Sequence, residues 1–171
     1  MNNTNSFRPH ARGTTAIVAA AFFALLLAAQ AAQAATWKGL EPFVSKRADV
    51  ERALGVPVAD KMAENGTLHF NVSGGTVTIF FVTPKFIAAK KLSPDLEGTV
   101  LQIVLQHESA TDTPESMNLI KNKKFDRQSK DQVDYFLNAK EGLGYTFVID
   151  RLKTTRYSYS SEQLARIQRG K

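Results

Sequence analysis

The chain has 171 residues, with 22 basic against 16 acidic side chains, a formal net charge of +6 and no cysteine. The missing cysteine excludes a disulfide scaffold, a thiol nucleophile, thiolate-bound zinc and an acylated lipoprotein anchor. Charges of both signs are mixed along the chain rather than gathered into a basic stripe, so no nucleic-acid partner is expected.

The first 34 residues read as a secretory signal peptide. Arg8 and Arg12 supply a basic start, Ala16 to Ala29 is an unbroken apolar run, and Ala32-Gln33-Ala34 is an A-x-A cleavage signal. The run is shorter than the about 20 residues that cross a bilayer. Cleavage between Ala34 and Ala35 leaves one domain, residues 35–171, secreted or periplasmic and without a membrane span. That domain has 137 residues, and the loss of two arginines lowers its charge to +4. A chain of this size buries roughly two-thirds of its unfolded surface, so neither a metal nor a disulfide is needed for folding.

Trp37 to Phe43 is an apolar lead-in broken by Gly39 and Pro42. Ser45 to Gly55 is the clearest helix: Ser45 is placed to cap it, Asp49 favours its positive end, and Arg47 can pair with Glu51 one turn on. Val50 and Leu54 share a face, and Gly55 with Pro57 beyond it stops the helix. The period then changes to two. Leu68, Phe70 and Val72 alternate with His69 and Asn71, Ser73-Gly74-Gly75 makes a hairpin turn, and Val77, Ile79 and Phe81 line one face of a second strand ended by Pro84.

Lys85 to Leu92 fits a short helix and an edge segment equally well, and Ser93 to Gly98 is a loop by composition. Thr99 to Glu108 is the strongest strand pattern, with Leu101, Ile103 and Leu105 on one face. Thr113-Pro114-Glu115 is suited to opening a short helix with proline in its first turn, carrying Met117, Leu119 and Ile120. Asp126 to Gln132 resembles a linker. Strands follow at Val133–Asn138, Leu143–Ile149 and Leu152–Tyr159. A closing helix from Ser160 to Arg169 has Ser160 and Gln163 in a capping box. The order predicts an α+β fold, an antiparallel meander of about six strands with an N-terminal helix, a short middle helix and a C-terminal helix.

Chemistry is harder to find. His69 and His107 are the histidines beyond the leader, and neither sits in metal-ligand spacing. Ser73-Gly74-Gly75 lacks the frame of a nucleophile elbow. Gly142-Leu143-Gly144 lacks the third glycine of a dinucleotide fingerprint. No catalytic residue, metal ligand or cofactor is therefore assigned. Aromatic residues recur on the last three strands, where cross-strand ladders are their ordinary use. Tyr135, Tyr145 and Tyr157, with Arg151 and Arg156 nearby, are also a candidate platform for stacking on a sugar or base. Lys121, Lys123 and Lys124 form the main basic concentration, a candidate contact for an anionic surface.

Trp37-Lys38-Gly39-Leu40-Glu41-Pro42, followed by the Ser45 to Pro57 stretch with Arg47, Asp49, Val50, Leu54 and Gly55, resembles a group of uncharacterised exported bacterial proteins. Their pattern is W-x-G-[LI]-x-P, then S-x-R-x-D-V-x-x-x-L-G-x-P. Glu141-Gly142-Leu143-Gly144-Tyr145 looks like that group's E-G-[LI]-x-Y hairpin. The helix motif is also similar to that of the small outer-membrane-assembly lipoproteins (SmpA/OmlA-like) and their β-lactamase-inhibitor-like relatives. That resemblance implies an α+β binding fold acting through protein contacts. Those assembly factors are anchored through a lipidated cysteine that this chain lacks, and no functional residue is carried over.

The expectation is thus an exported, non-catalytic binding or envelope-associated module whose partner is an envelope protein or an anionic envelope polymer. Two alternatives stand beside it: a small envelope hydrolase using His69 or His107 as base, and a binder of anionic polymer or lipid through the lysine cluster and basic tail.

Overall fold

A computed structural model describes residues 34–59 and 66–170. Nearly all of the expected leader lies outside the described residues. Helix α1 is Arg47–Leu54, followed by strands β1 (Thr67–Val72) and β2 (Gly75–Phe81), helix α2 (Pro84–Lys90) and a 3-10 turn at Pro94–Leu96. Strands β3 (Val100–His107), β4 (Asp126–Lys130), β5 (Val133–Asn138), β6 (Leu143–Val148) and β7 (Arg151–Ser158) come next, and helix α3 (Ser161–Arg169) closes the chain. The strands form one antiparallel sheet in the spatial order β1-β2-β3-β7-β6-β5-β4. The fold is α+β, with seven strands rather than about six.

Local chemistry accounts for several elements directly. The Arg47 guanidinium meets Glu51 at 2.6 Å, and Gly55 takes a φ of +85° where α1 stops. Ser160 Oγ accepts from Gln163 N at 3.0 Å while Gln163 Oε1 accepts from Ser160 N at 3.0 Å, so α3 carries the reciprocal cap. Ser73-Gly74 joins β1 to β2, with Val72 paired to Gly75. Of the two forms open to Lys85–Leu92, the helix forms. Thr83 Oγ1 accepts from Phe86 N, and Pro84 occupies the first turn, where its missing N–H is no loss.

Four expectations need correction. Asp126 to Gln132 is not a linker, because it contains β4. All five residues of that strand are exposed, so no apolar alternation marks it. It forms by pairing with β5 across a two-residue turn in which Asp131 and Gln132 both take positive φ, the hairpin geometry of a primed turn. Its charged and polar side chains suit an edge that must not recruit another strand.

The middle helix lies at α2, between the second and third strands, and none forms at Thr113. There Thr113 N donates to Ser116 Oγ and Ser116 N donates to Thr113 Oγ1. This closes a turn, and Asn118 at φ +55° diverts the backbone before a helix propagates. Ser45 does not cap α1 either. Its hydroxyl accepts from Glu41 N at 2.9 Å, folding the lead-in segment back. Lys46 is the capping residue, and its N–H donates to Asp49 Oδ2 at 2.9 Å.

The fourth correction concerns β3. Phe80 pairs with Gln102 but Phe81 pairs with Val100, so Leu101 is the extra residue of a bulge. Val100 and Ile103 enter the core beside α1, whereas Leu101 packs with α2 and α3 residues. Leu101 therefore does not share a cluster with Ile103.

The sheet is covered on one face. Across that inner face run Phe70, Val77, Leu105, Thr155, Tyr145 and Phe136, in register from β1 to β5. Leu40 and Val50 of the N-terminal segment pack on the β1–β3 half. Leu119, Met117 and Phe125, from the turn-rich stretch after β3, pack on Phe136, Phe147 and Leu152 of the other half. Phe70, Phe136 and Phe147 are almost wholly buried, each stabilising the fold by about 1.5–3 kcal/mol relative to exposure. A third cluster joins Phe43, Leu92 and Leu164 where α2 and α3 meet the end of the sheet, and the Phe43 and Tyr159 rings stack there at 5.0 Å.

Gly75 tests the central registry. It lies at φ +154°, and a Cβ there would come 1.9 Å from Gln106 O, a backbone atom of the paired strand. Gly75→Ala is expected to destabilise the protein by about 3 kcal/mol, read as a lower urea midpoint at unchanged m-value.

Candidate functional site

Because side chains alternate across a strand, the register that builds the inner face also defines the outer one. One outer row reads His69, Thr78, Val104, Arg156, Gly144, Leu137 and Asp126 from edge to edge. The next reads Asn71, Thr76, Gln106, Thr154, Thr146, Tyr135 and Gln128. Gly144 excepted, no residue of either row is buried. The face is rich in hydroxyl and amide groups, and some pair across strands: Thr76 Oγ1 donates to Gln106 Oε1 at 3.1 Å, and His69 Nδ1 lies 3.0 Å from Thr78 Oγ1.

Near the middle of this face is a shallow concavity of about 190 Å³, bordered by Gln102, Tyr135, Thr146, Thr154 and Arg156, with Gly144 at its floor. Gly144 makes the depression. A Cβ there would meet Arg156 Nε and Nη2, each at 3.3 Å, so the guanidinium lies close over the glycine backbone. Among the described residues no carboxylate pairs with Arg156 and no hydrogen bond holds it. Tyr135 stands beside it with 46 % of its surface exposed.

The residues singled out from the sequence are divided by the fold. Tyr135 and Arg156 come together on the outer face. Tyr145 and Tyr157 are inner-face residues, Tyr145 packing against Phe125 with ring centroids 5.7 Å apart and Tyr157 against the β1–β3 cluster. Burial raises both phenol pKa values above the ordinary one. Arg151 lies at the start of β7, where its guanidinium donates to Thr111 O at 2.8 Å. Lys121, Lys123 and Lys124 are exposed on the turn-rich stretch that covers the inner face, and Lys124 meets Glu141 at 3.4 Å. The lysines and Arg156 do not form one patch. In the sequence Gly144 stands in the incomplete glycine fingerprint and in the Glu141 to Tyr145 hairpin motif. A glycine in the middle of an alternating strand is the signal that points to it.

The histidines are separated as well. His69 lies on the outer face, while His107 follows Leu105 on the inner side and meets Thr155 Oγ1 through Nε2 at 2.9 Å. Among the described residues neither hydrogen-bonds a carboxylate, and no group of three or more His, Asp or Glu side chains is placed to hold a metal. No helix among them is long and apolar enough to cross a membrane.

Other depressions among the described residues are larger, and the one of about 280 Å³ lies between Trp37, Lys38, the β1–β2 turn and His107. One of about 410 Å³ lies between the β4–β5 and β6–β7 turns. Its Asp134 is already engaged by Arg127 through two bonds of 3.1 and 3.0 Å and by Ser129 Oγ. The Arg127 and Ser129 hydrogen bonds hold the Asp134 carboxyl below its usual pKa, so the strongest charges there satisfy each other. Another of about 420 Å³ has walls of Phe43, Val44, Leu96 and Ile167 between Glu41 and Arg166.

Burial lowers the His107 pKa below its ordinary value, against an opposing pull from Asp112. The folded protein thus takes up the proton less readily than the unfolded chain. The neutral imidazole's contribution is full above the unfolded value, about 6.5, and is lost as pH falls through that value toward the folded one. Urea midpoints are expected to fall between pH 8 and pH 5, with His107→Gln flattening that part of the profile.

No protein-family model matches the sequence, and no curated protein matches it. Among solved structures, the fold is similar to the crystal structure of a DUF4309 family protein (YjgB) from Bacillus subtilis, with a TM-score of 0.48 and 13 % identity, over 72 % of this chain and 84 % of that one.

Proposed function

We propose that this protein is an exported, non-catalytic binding module that meets its ligand with the outer face of the sheet, around Arg156, Gly144 and Tyr135. The observation that carries the reading is the guanidinium seated over Gly144, which has no partner among the described residues and lies between two polar rows. A guanidinium with no internal partner is a ready recognition group, since its fork of donors matches carboxylate and phosphate oxygens. The leader pattern at Arg8 to Ala34 supports action outside the cytosol. The hydrolase alternative draws no support from the histidine partners, which are threonine hydroxyls rather than carboxylates.

The test is an amide-shift titration of the isotopically labelled protein with a detergent-free envelope extract. Shifts centred on Thr146, Thr154 and Gln106 are expected, and Arg156→Gln should abolish them. As an exposed position, Arg156 should change stability by no more than about 0.5 kcal/mol when substituted. Shifts confined to Lys121–Lys124, or robust turnover of a hydrolase substrate panel, would overturn the proposal.

A further inference from the structure

We infer that the ligand of the outer face is an acidic polysaccharide, one carboxylate-bearing sugar of which seats in the Gly144 depression against Arg156 and Tyr135. This rests on the reading of that face as the binding surface and adds the chemical class of what it binds.

Size sets the first limit. The depression holds about 190 Å³, below the about 300–1,000 Å³ of pockets that enclose a whole small molecule. That volume suits one unit of a longer molecule rather than a whole enclosed ligand. The sheet is about 29 Å wide from β1 to β4 at ordinary strand spacing, which is room for several sugar units in line.

Charge sets the second. Arg156 has no partner among the described residues, and the acid of its row, Asp126, lies three strands away, about 14 Å. A neutral oxygen can accept from the guanidinium but leaves its charge uncompensated, whereas a carboxylate accepts two parallel, charge-assisted bonds from the fork and so is the favoured group.

The rest of the face selects a saccharide over a protein. A protein interface needs a desolvated apolar cluster as anchor, and here the aliphatic side chains, Val104 and Leu137, are half-buried, which leaves the single exposed ring of Tyr135. The concavity is also in the middle of the sheet, where no strand edge is free to add a peptide strand. A sugar ring instead offers hydroxyls to Thr146 and Thr154, and an apolar ring face to the exposed Tyr135.

Binding of the exported protein to polygalacturonate, to neutral dextran and to phosphatidylglycerol vesicles, measured by calorimetry, tests this. Polygalacturonate alone should bind, weakening with salt. Arg156→Gln and Tyr135→Ala should each raise its Kd about tenfold or more, while Lys121→Gln/Lys123→Gln leaves it within about twofold and all variants keep the parent melting temperature. If vesicles or dextran bind through Arg156 and polygalacturonate does not, the acidic-polysaccharide assignment is wrong and the outer-face reading survives. If polygalacturonate binds unchanged to Arg156→Gln and is lost in Lys121→Gln/Lys123→Gln, the outer-face reading itself fails. If none of the three probes binds, the acidic-polysaccharide assignment is rejected.

Discussion

The pairing of β3 with β7 is the constraint on which the rest of the molecule depends. Gln102 opposes Ser158 and Gln106 opposes Thr154, and this ladder joins the β1–β2–β3 half of the sheet to the β4–β7 meander. It also sets which side chains face inward in both halves, because side chains alternate along each strand except at the bulges. In the observed register Leu105 and Thr155 point inward while Val104 and Arg156 point outward. A slip of one residue would send the Arg156 charge into the apolar layer and bring Tyr157 into water. Such an exchange costs both a buried charge and a lost aromatic contact, so the register is held by burial as much as by hydrogen bonds.

That register produces a sheet with two unlike faces. The inner face needs cover, and three separate pieces of chain supply it: the lead-in with α1, the turn-rich stretch after β3, and the α2–α3 pair at one end. The outer face is polar enough to remain in water without loss. Its depression goes with one omission, the side chain missing at Gly144, which lets the long cationic side chain of Arg156 lie close to the backbone of a neighbouring strand. A Cβ there would oblige the guanidinium to shift by a few tenths of an ångström.

Much of this was legible in the residues. The alternation of Leu68, Phe70 and Val72 against His69 and Asn71, and the Ser160–Gln163 cap, are settled by neighbours a few positions away, and the structure contains them as read. Tyr135 and Arg156 were visible as candidate binding residues, but Tyr145 and Tyr157 looked equivalent to them. Aromatic residues on alternating strands carry no mark of which face will be covered, and only the cross-strand register separates them. β4 gave no signal at all, since Asp-Arg-Gln-Ser-Lys has the composition of a loop and becomes a strand only beside β5.

The sequence by itself determined the α+β class, most strand positions, the C-terminal end of α1 and the capped start of α3, because hydrophobic period, capping and turn chemistry act over a few residues. Tertiary structure alone decided that Leu101 leaves the face of Ile103, that Ser45 turns back to Glu41, and that Arg156 settles over Gly144 with no acid paired to it among the described residues. Each of these depends on a partner placed by the folded chain: the register of β2 against β3, the path of the lead-in, and the adjacency of β6 and β7. A single residue's chemistry names what it can bind, but its partners decide whether it is left free to do so.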